Sequence, residues 1–392
     1  MPTALPPRFA IGTAAPKDAF AAFERRGLLQ PSFRWEDVYA QEHAAGFAVA
    51  GVAQADVLAL FQSGIDEALA GGGSLADFAK AIKPQLVAKG WWGDVEITDP
   101  ATGETRIGRF DDARLQLIYD VNLRQSYAAG RWARIERTRD SKPLVMYRTM
   151  RDERVRASHA RWDGVVLPID HPFWRTHYAP NGWRCRCRCF AVSERDVERY
   201  QADGVQIKRD APPVSFTEFV NRRTGEVSKV PVGIDPGFEY NPGQQRPAQL
   251  ARLQRNALDA AAPPLARALV RQQLQGDNLR RFLAQPLPGE SLPVALLGTE
   301  GSAAIGAKGR TVMLPGGTAA DAAALPLLQL VIDTGQRYPD GAGANVYVLQ
   351  RADLVVLARV VAGDDGPQLA SLRQISAADA ATDAELQRLG AR

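Results

Sequence analysis

The sequence predicts a multi-domain α+β protein. A mostly helical N-terminal domain with small β elements is expected over residues 1–200, a connector and helical linker over 201–284, and a small α+β domain over 285–392. Three observations lead there. A chain of 392 residues exceeds the usual span of one domain, about 100–200 residues. Apolar residues recur at helical spacing through the first 140 positions, whereas the last hundred alternate short apolar runs with turns. Between them, from about 205 to 246, the chain is punctuated by Pro and Gly and reads as ordered turn or connector.

The N-terminal helices have legible starts and stops. Val57, Phe61, Ile65 and Leu69 repeat at i, i+4, and Gly71, Gly72 and Gly73 end that helix. Ser74 with Asp77 three residues later forms a capping-box signal, followed by the stripe Leu75, Phe78, Ile82 and Leu86, so a helical hairpin is expected. Residues 95–107 alternate around Asp99-Pro100 and Gly103, which suits a β-hairpin. Asp111 or Asp112 caps a long helix from about 113 to 139. Leu117, Val121, Ala128, Trp132 and Ile135 line one side of it, and Tyr119, Leu123 and Tyr127 another, so it should lie centrally. Residues 144–149 read as a strand, and Ser193 caps a short helix. Residues 247–284 return to helical pattern, broken at Pro263-Pro264. Strands are expected at PVALL, RTVMLP, NVYVLQ, LVVLARVV and LASLRQIS, with a helical stretch near 318–334.

Composition narrows the function classes. With 45% hydrophobic and 23% charged residues, wholesale disorder is excluded. There is no run of about 18 apolar residues, and the first twenty positions have neither a charged leader nor a cleavable apolar core. A soluble chain, made in the cytoplasm and without a membrane partner, is expected. The three cysteines, Cys185, Cys187 and Cys189, lie too close together for a disulfide framework. The net charge of +4 predicts no nucleic-acid binding by itself, but residues 131–188 hold 14 Lys or Arg against 6 acids, an excess of +8 able to face DNA or an acidic partner.

That basic region also concentrates chemistry. His159, His171 and His177, all three cysteines, and Trp162, Trp174 and Trp183 fall within residues 159–189. In an extended segment Cys185, Cys187 and Cys189 project from one face and Arg184, Arg186 and Arg188 from the other. Three readings stay open. The thiols with an upstream imidazole, His159 with Cys185 and Cys187, can ligate a structural zinc, although the spacing is not that of a C-x2-C finger. Alternatively the cysteines are small buried hydrophobes, with His159 hydrogen-bonded near the Asp163-Gly164 turn. A Cys-His nucleophile is the third, without a recognisable catalytic-cysteine context. The arginine ladder can grip phosphate or a protein surface, with Trp174 and Trp183 as apolar anchors or as core residues.

The string Arg154-Val155-Arg156, His159, Asp163-Gly164, Pro172-Phe173-Trp174 and Pro180-Asn181-Gly182-Trp183-Arg184-Cys185-Arg186-Cys187 resembles the signature of the phage Mu protein F-like head-morphogenesis family. The resemblance extends back through Gly90-Trp91-Trp92 and the helix Arg114 to Trp132, and forward to Gly233–Gly243, covering about residues 17–245. Cys189 and His177 look like additions to the core pattern. The resemblance implies a minor capsid protein present in few copies in the virion, meeting portal protein, major capsid protein or scaffold, and packaged DNA, after assembly in the host cytoplasm. Residues 279–392 are similar to a barnase/EndoU/colicin/RelE-like ribonuclease fold, which implies an injected effector as the alternative. Such an enzyme needs an acid, a base and a cation at the phosphate. No histidine follows His177, and the stretch where a Lys-His pair is expected reads AAALPLLQL from Ala322 to Leu330. Lys308, Arg310, Arg351, Arg359 and Arg373 remain as candidate phosphate holders and Asp321 or Asp333 as a base, with the catalytic set otherwise unassigned.

Overall fold

A computed structural model describes residues 17–99, 102–341 and 343–390. Most of the leader expectation (residues 1–16) and two residues of the expected hairpin turn (100–101) lie outside them. The chain is mixed α and β and forms two compact units, one comprising residues up to Arg26 together with Gln30–Gln245, the other Gly27–Leu29 and Arg246 onward.

In the first unit, α1 (Lys17–Glu24) is followed by the helical hairpin α2 (Ala55–Gly71) and α3 (Leu75–Ala88). α2 stops where Gly72 turns left-handed, φ +66°, a conformation open to glycine because it has no Cβ. The expected capping box is present: Asp77 N donates to Ser74 Oγ, and Ser74 N donates to the Asp77 carboxylate. β1 (Gly93–Thr98) and β2 (Thr105–Phe110) form the expected hairpin. The long helix α4 (Asp112–Arg137) begins at Asp111, whose Oδ1 accepts from Arg114 N. Its buried line differs from the apolar reading, since Asn122, Ser126 and Gly130 lie in it while Leu117, Val121, Tyr119 and Tyr127 are half-buried. Gly130 is there for contact: a Cβ would stand 2.5 Å from Ala19 N, so α1 can cross α4 closely only over a glycine.

β3 (Leu144–Arg148) is the central strand of an antiparallel three-stranded sheet, flanked by β4 (Val166–Pro168) and β5 (Arg188–Val192), with helix α5 (Ala157–Trp162) between β3 and β4 in sequence. Alternation divides the two faces. Val145 and Tyr147 join the core with Trp132, Trp162 and Trp174, whereas Leu144 and Met146 pack with Val166, Val192 and Val197 of α6 (Glu194–Ala202). The expected connector beyond residue 200 is instead part of this unit. β6 (Phe216–Val220) pairs with β7 (Val227–Pro231), and Val230, Ile234 and Phe238 enter the same core as Trp162 and Cys185, because apolar side chains here have more surface to bury than a free linker would allow.

The second unit likewise takes in the expected helical linker. α7 (Pro247–Ala260), α8 (Pro263–Gln275) and α9 (Asp277–Ala284) precede β8 (Ser291–Leu296), α10 (Thr299–Ala304), β9 (Thr311–Pro315), α11 (Leu328–Thr334) and the meander β10 (Gln336–Pro339), β11 (Ala344–Gln350), β12 (Leu354–Gly363) and β13 (Gly366–Ser376). The sheet order is β8-β9-β13-β12-β11-β10, antiparallel except where β9 meets β13. Leu279 and Phe282 of α9 and Leu328 and Val331 of α11 share a core with Val356 and Ala358, while Val355, Leu357, Val346 and Val348 pack with Leu386. Both sheet faces are apolar and require cover, so the helices of 247–284 belong to the domain they precede. Among the described residues no helix is long and apolar enough to cross a membrane.

Candidate functional site

The Cys/His cluster is assembled from three stretches of the first unit. His159 comes from α5, Cys185 and Cys187 from the loop entering β5, and Gly233 from the segment after β7. His159 Nε2 lies 2.9 Å from Gly233 O. A carbonyl only accepts, so Nε2 carries the proton and Nδ1 offers its lone pair inward. Nδ1 stands 3.6 Å from Cys185 Sγ and 3.6 Å from Cys187 Sγ, and all three residues are buried. The expectation that His159 would bond near the Asp163-Gly164 turn is corrected: Asp163 accepts instead from Thr149 N and Arg151, and Gly233 supplies the imidazole's partner.

Carboxylates hold the loop in shape. Asp235 accepts from Trp183 N at 2.8 Å and from both terminal nitrogens of Arg156 at 2.7 and 2.9 Å. Gly182 lies against it, where a Cβ would be 2.4 Å from Asp235 Oδ2. Cys185 N donates to Gly182 O at 3.1 Å, closing a turn that puts Arg184 at φ +60°, uncommon for a residue with a Cβ. Arg186 forms a bidentate pair with Asp152 at 2.6 and 2.7 Å. Beneath, the buried Tyr147 hydroxyl donates to Asn181 Oδ1 at 2.9 Å. One thiol of the Cys185–Cys187 pair loses its proton far more readily than a free cysteine, chiefly because the neighbouring thiol donates to its sulfur, and the other then keeps its proton more tightly. Cys189 stands apart: burial pushes its thiol up to about 12, and Ala179 N donates to its sulfur at 3.5 Å. His177 is framework, stacked on Phe173 and edge-on to Trp162.

The strand alternation expected for 184–189 survives in burial, with all three cysteines inside, although only Arg188 and Cys189 of these six lie in β5. The proposed docking residues separate. Arg184 and Arg188 are exposed and Trp183 is 37% exposed, its ring 5.0 Å from that of Phe238. Arg186 is held by Asp152, and Trp174 is fully buried with Nε1 donating to Pro168 O at 3.0 Å, so neither presents a free anchor. Although Arg188 is exposed overall, partial desolvation lowers its basicity, with the nearby Arg131 and Arg124 adding to the effect.

Sequence reasoning did not assign Asp152 and Asp235 their roles as arginine partners. It also missed a cavity of about 620 Å³ in the first unit lined by Arg26, Arg106, Arg114, Trp35, His43 and Tyr240. Arg26 donates to Asn122 Oδ1 and Gly46 O, Arg106 to Phe33 O and Arg114 to Ala50 O, and burial lowers Arg26 to about 10. No sequence signal joins residues so far apart in the chain. In the second unit Arg310 donates to Leu258 O and Ala261 O, Arg359 pairs with Asp340, Arg373 with Asp383 and Glu385, and Asp333 with Arg267. Lys308, Arg351 and Asp321 are exposed.

The Pro-Asn-Gly-Trp-Arg-Cys-Arg-Cys loop is thus clamped on a small antiparallel sheet beside a long helix. Residues 60–190 match the family described as Phage Mu protein F like protein. The chain is 34% identical over 241 residues to protein F of Escherichia phage Mu, whose name assigns it provisionally to capsid assembly; the match covers 58% of this chain and 54% of that protein. It is 32% identical over 225 residues to the Mu-like prophage FluMu F protein of Haemophilus influenzae, covering 54% of this chain and 53% of the relative. The chain thus spans about half the length of these curated relatives. No solved structure matches it significantly.

Proposed function

We propose that the chain serves the assembly of a tailed-phage head, as a minor virion component whose first unit docks on the portal protein. The observation that carries this reading is the 34% identity over 241 residues to a protein named for capsid assembly. The chemistry of the loop face supports it. Arg184 directly follows the accessible Trp183 in the chain and Arg188 is exposed four residues further on, side chains suited to carboxylates and aromatic rings on a protein partner. Major capsid protein, scaffold and packaged DNA are the competing partners of the same face.

Co-expression with the portal protein of the same genome tests it. The wild-type chain should co-purify with portal, and Arg184→Glu with Arg188→Glu should lower the affinity at least tenfold in a folded protein. Arg186 is left in place because Glu at 186 would face Asp152. Undiminished portal binding by the double variant, or none by wild type, overturns the portal reading. Loss of DNA retention instead, with a steep salt dependence, assigns the face to nucleic acid. Particles purified without any copy of the chain would overturn the virion assignment.

A further inference from the structure

We propose that His159 Nδ1, Cys185 Sγ and Cys187 Sγ bind a zinc ion that ties α5 to the Pro180–Cys187 loop. A tetrahedral zinc with bonds of about 2.3 Å to sulfur and about 2.0–2.1 Å to nitrogen sets its nitrogen and sulfur ligands about 3.6 Å apart. Both His159–cysteine separations here are 3.6 Å, and the three ligand atoms lie within 4.8 Å of one another.

The alternative occupant is a proton shared between thiol and imidazole, and the arrangement fits it less well. Nδ1 has one lone pair in the ring plane, yet two sulfurs stand at the same distance from it. A thiol hydrogen bond to the ring satisfies one of them, whereas a metal ion engages both. The imidazole is also oriented as metal-ligating histidines usually are, with the far N–H donated to a backbone carbonyl, here Gly233 O. Charge favours the same occupant. Two thiolates neutralise a divalent cation, so the buried site carries no net charge. The nearby Arg156 and Arg186 are already paired with Asp235 and Asp152, and so do not oppose a cation with unbalanced charge.

A small cavity of about 30 Å³ borders His159, Cys185 and Cys187, room enough for a water, and gives a fourth ligand position to solvent. Thiolate and imidazole donors select zinc over magnesium, calcium or manganese. Binding displaces both thiol protons and involves no change of oxidation state.

The test uses the full chain, purified under reductant without chelator and with any histidine tag removed. Elemental analysis should find about one zinc per chain. After chelation, cobalt(II) should bind at the same stoichiometry and show a thiolate-to-cobalt charge-transfer band in the near ultraviolet. Cys185→Ser, Cys187→Ser and His159→Gln should each weaken metal binding at least tenfold, while Cys189→Ala should keep it. A folded wild-type chain that takes up neither zinc nor cobalt overturns the proposal. So does a Cys185–Cys187 disulfide in the reduced preparation, or stoichiometric metal in the Cys185→Ser/Cys187→Ser variant. Should the cysteine variants fail to fold, the wild-type cobalt spectrum decides, because a cobalt ion without thiolate ligands gives no such band.

Discussion

Trp174 and Trp183 are nine residues apart in one basic segment, yet they belong to different classes of residue. Trp174 is fully buried, edge-on to Phe173 at 5.1 Å, with its indole N–H given to Pro168 O. Trp174→Ala should therefore cost about 3–5 kcal/mol in denaturant unfolding, from lost burial and the cavity left behind. Trp183 keeps a contact with Phe238 but is over a third exposed, and Trp183→Ala should cost only about 0.5–1.5 kcal/mol, the scale of one aromatic pair. Equal losses in the two variants would contradict this division. Any binding defect in Trp174→Ala would report unfolding, whereas one in Trp183→Ala would support the proposed docking face.

At the scale of elements, the Trp183 turn of the loop between Pro180 and Cys187 is clamped by the Asp235 carboxylate. Asp235 accepts from Trp183 N and from two nitrogens of Arg156, so its loss leaves the Trp183 N–H without this acceptor and the Arg156 guanidinium without its carboxylate, with a bond to Trp183 O remaining. Asp235→Ala should destabilise the first unit by about 2–3 kcal/mol, as expected for charge-assisted hydrogen bonds that are partly buried. Hydrogen exchange should accelerate at Trp183 and Cys185 before it does in α4. Unchanged exchange at both amides would mean that the turn holds itself. The capped helices were readable in advance because a cap is local: Ser74 with Asp77, Asp111 with Arg114 N and Ser193 with Asp196 each sit within three residues. The Asp235 clamp was not, because its partners stand 52 and 79 residues away.

Across the whole molecule, the four histidines all lie in the first unit. Burial lowers His43 from the usual 6.5 to about 3, helped by the charge of Arg26, and lowers His177 to about 4. These rings stay neutral in the folded chain but take up a proton on unfolding below about pH 6.5. Their effect is absent above that pH, and stability falls as pH drops from 6.5 towards 4. Calorimetry at pH 7 and pH 5 should show the transition of the first unit moving down more than that of the second. Parallel shifts of both would contradict the assignment to buried histidine.

Local pattern alone determined the helical hairpin, the long helix, the β3 strand, the terminal meander and the inward alternation of Cys185, Cys187 and Cys189, since periodicity and capping act over a few residues. It also brought out His159, Cys185 and Cys187 as one potential ligand set, and the Mu F-like resemblance of their surroundings. Tertiary structure decided where the domains end, which tryptophan is accessible, which arginines are already paired, and that Gly233 orients His159. Those outcomes depend on contacts between distant segments competing to bury apolar surface and satisfy charge, as when Ile234 and Phe238 draw the expected connector into the first core and Asp152 holds Arg186 in a bidentate pair.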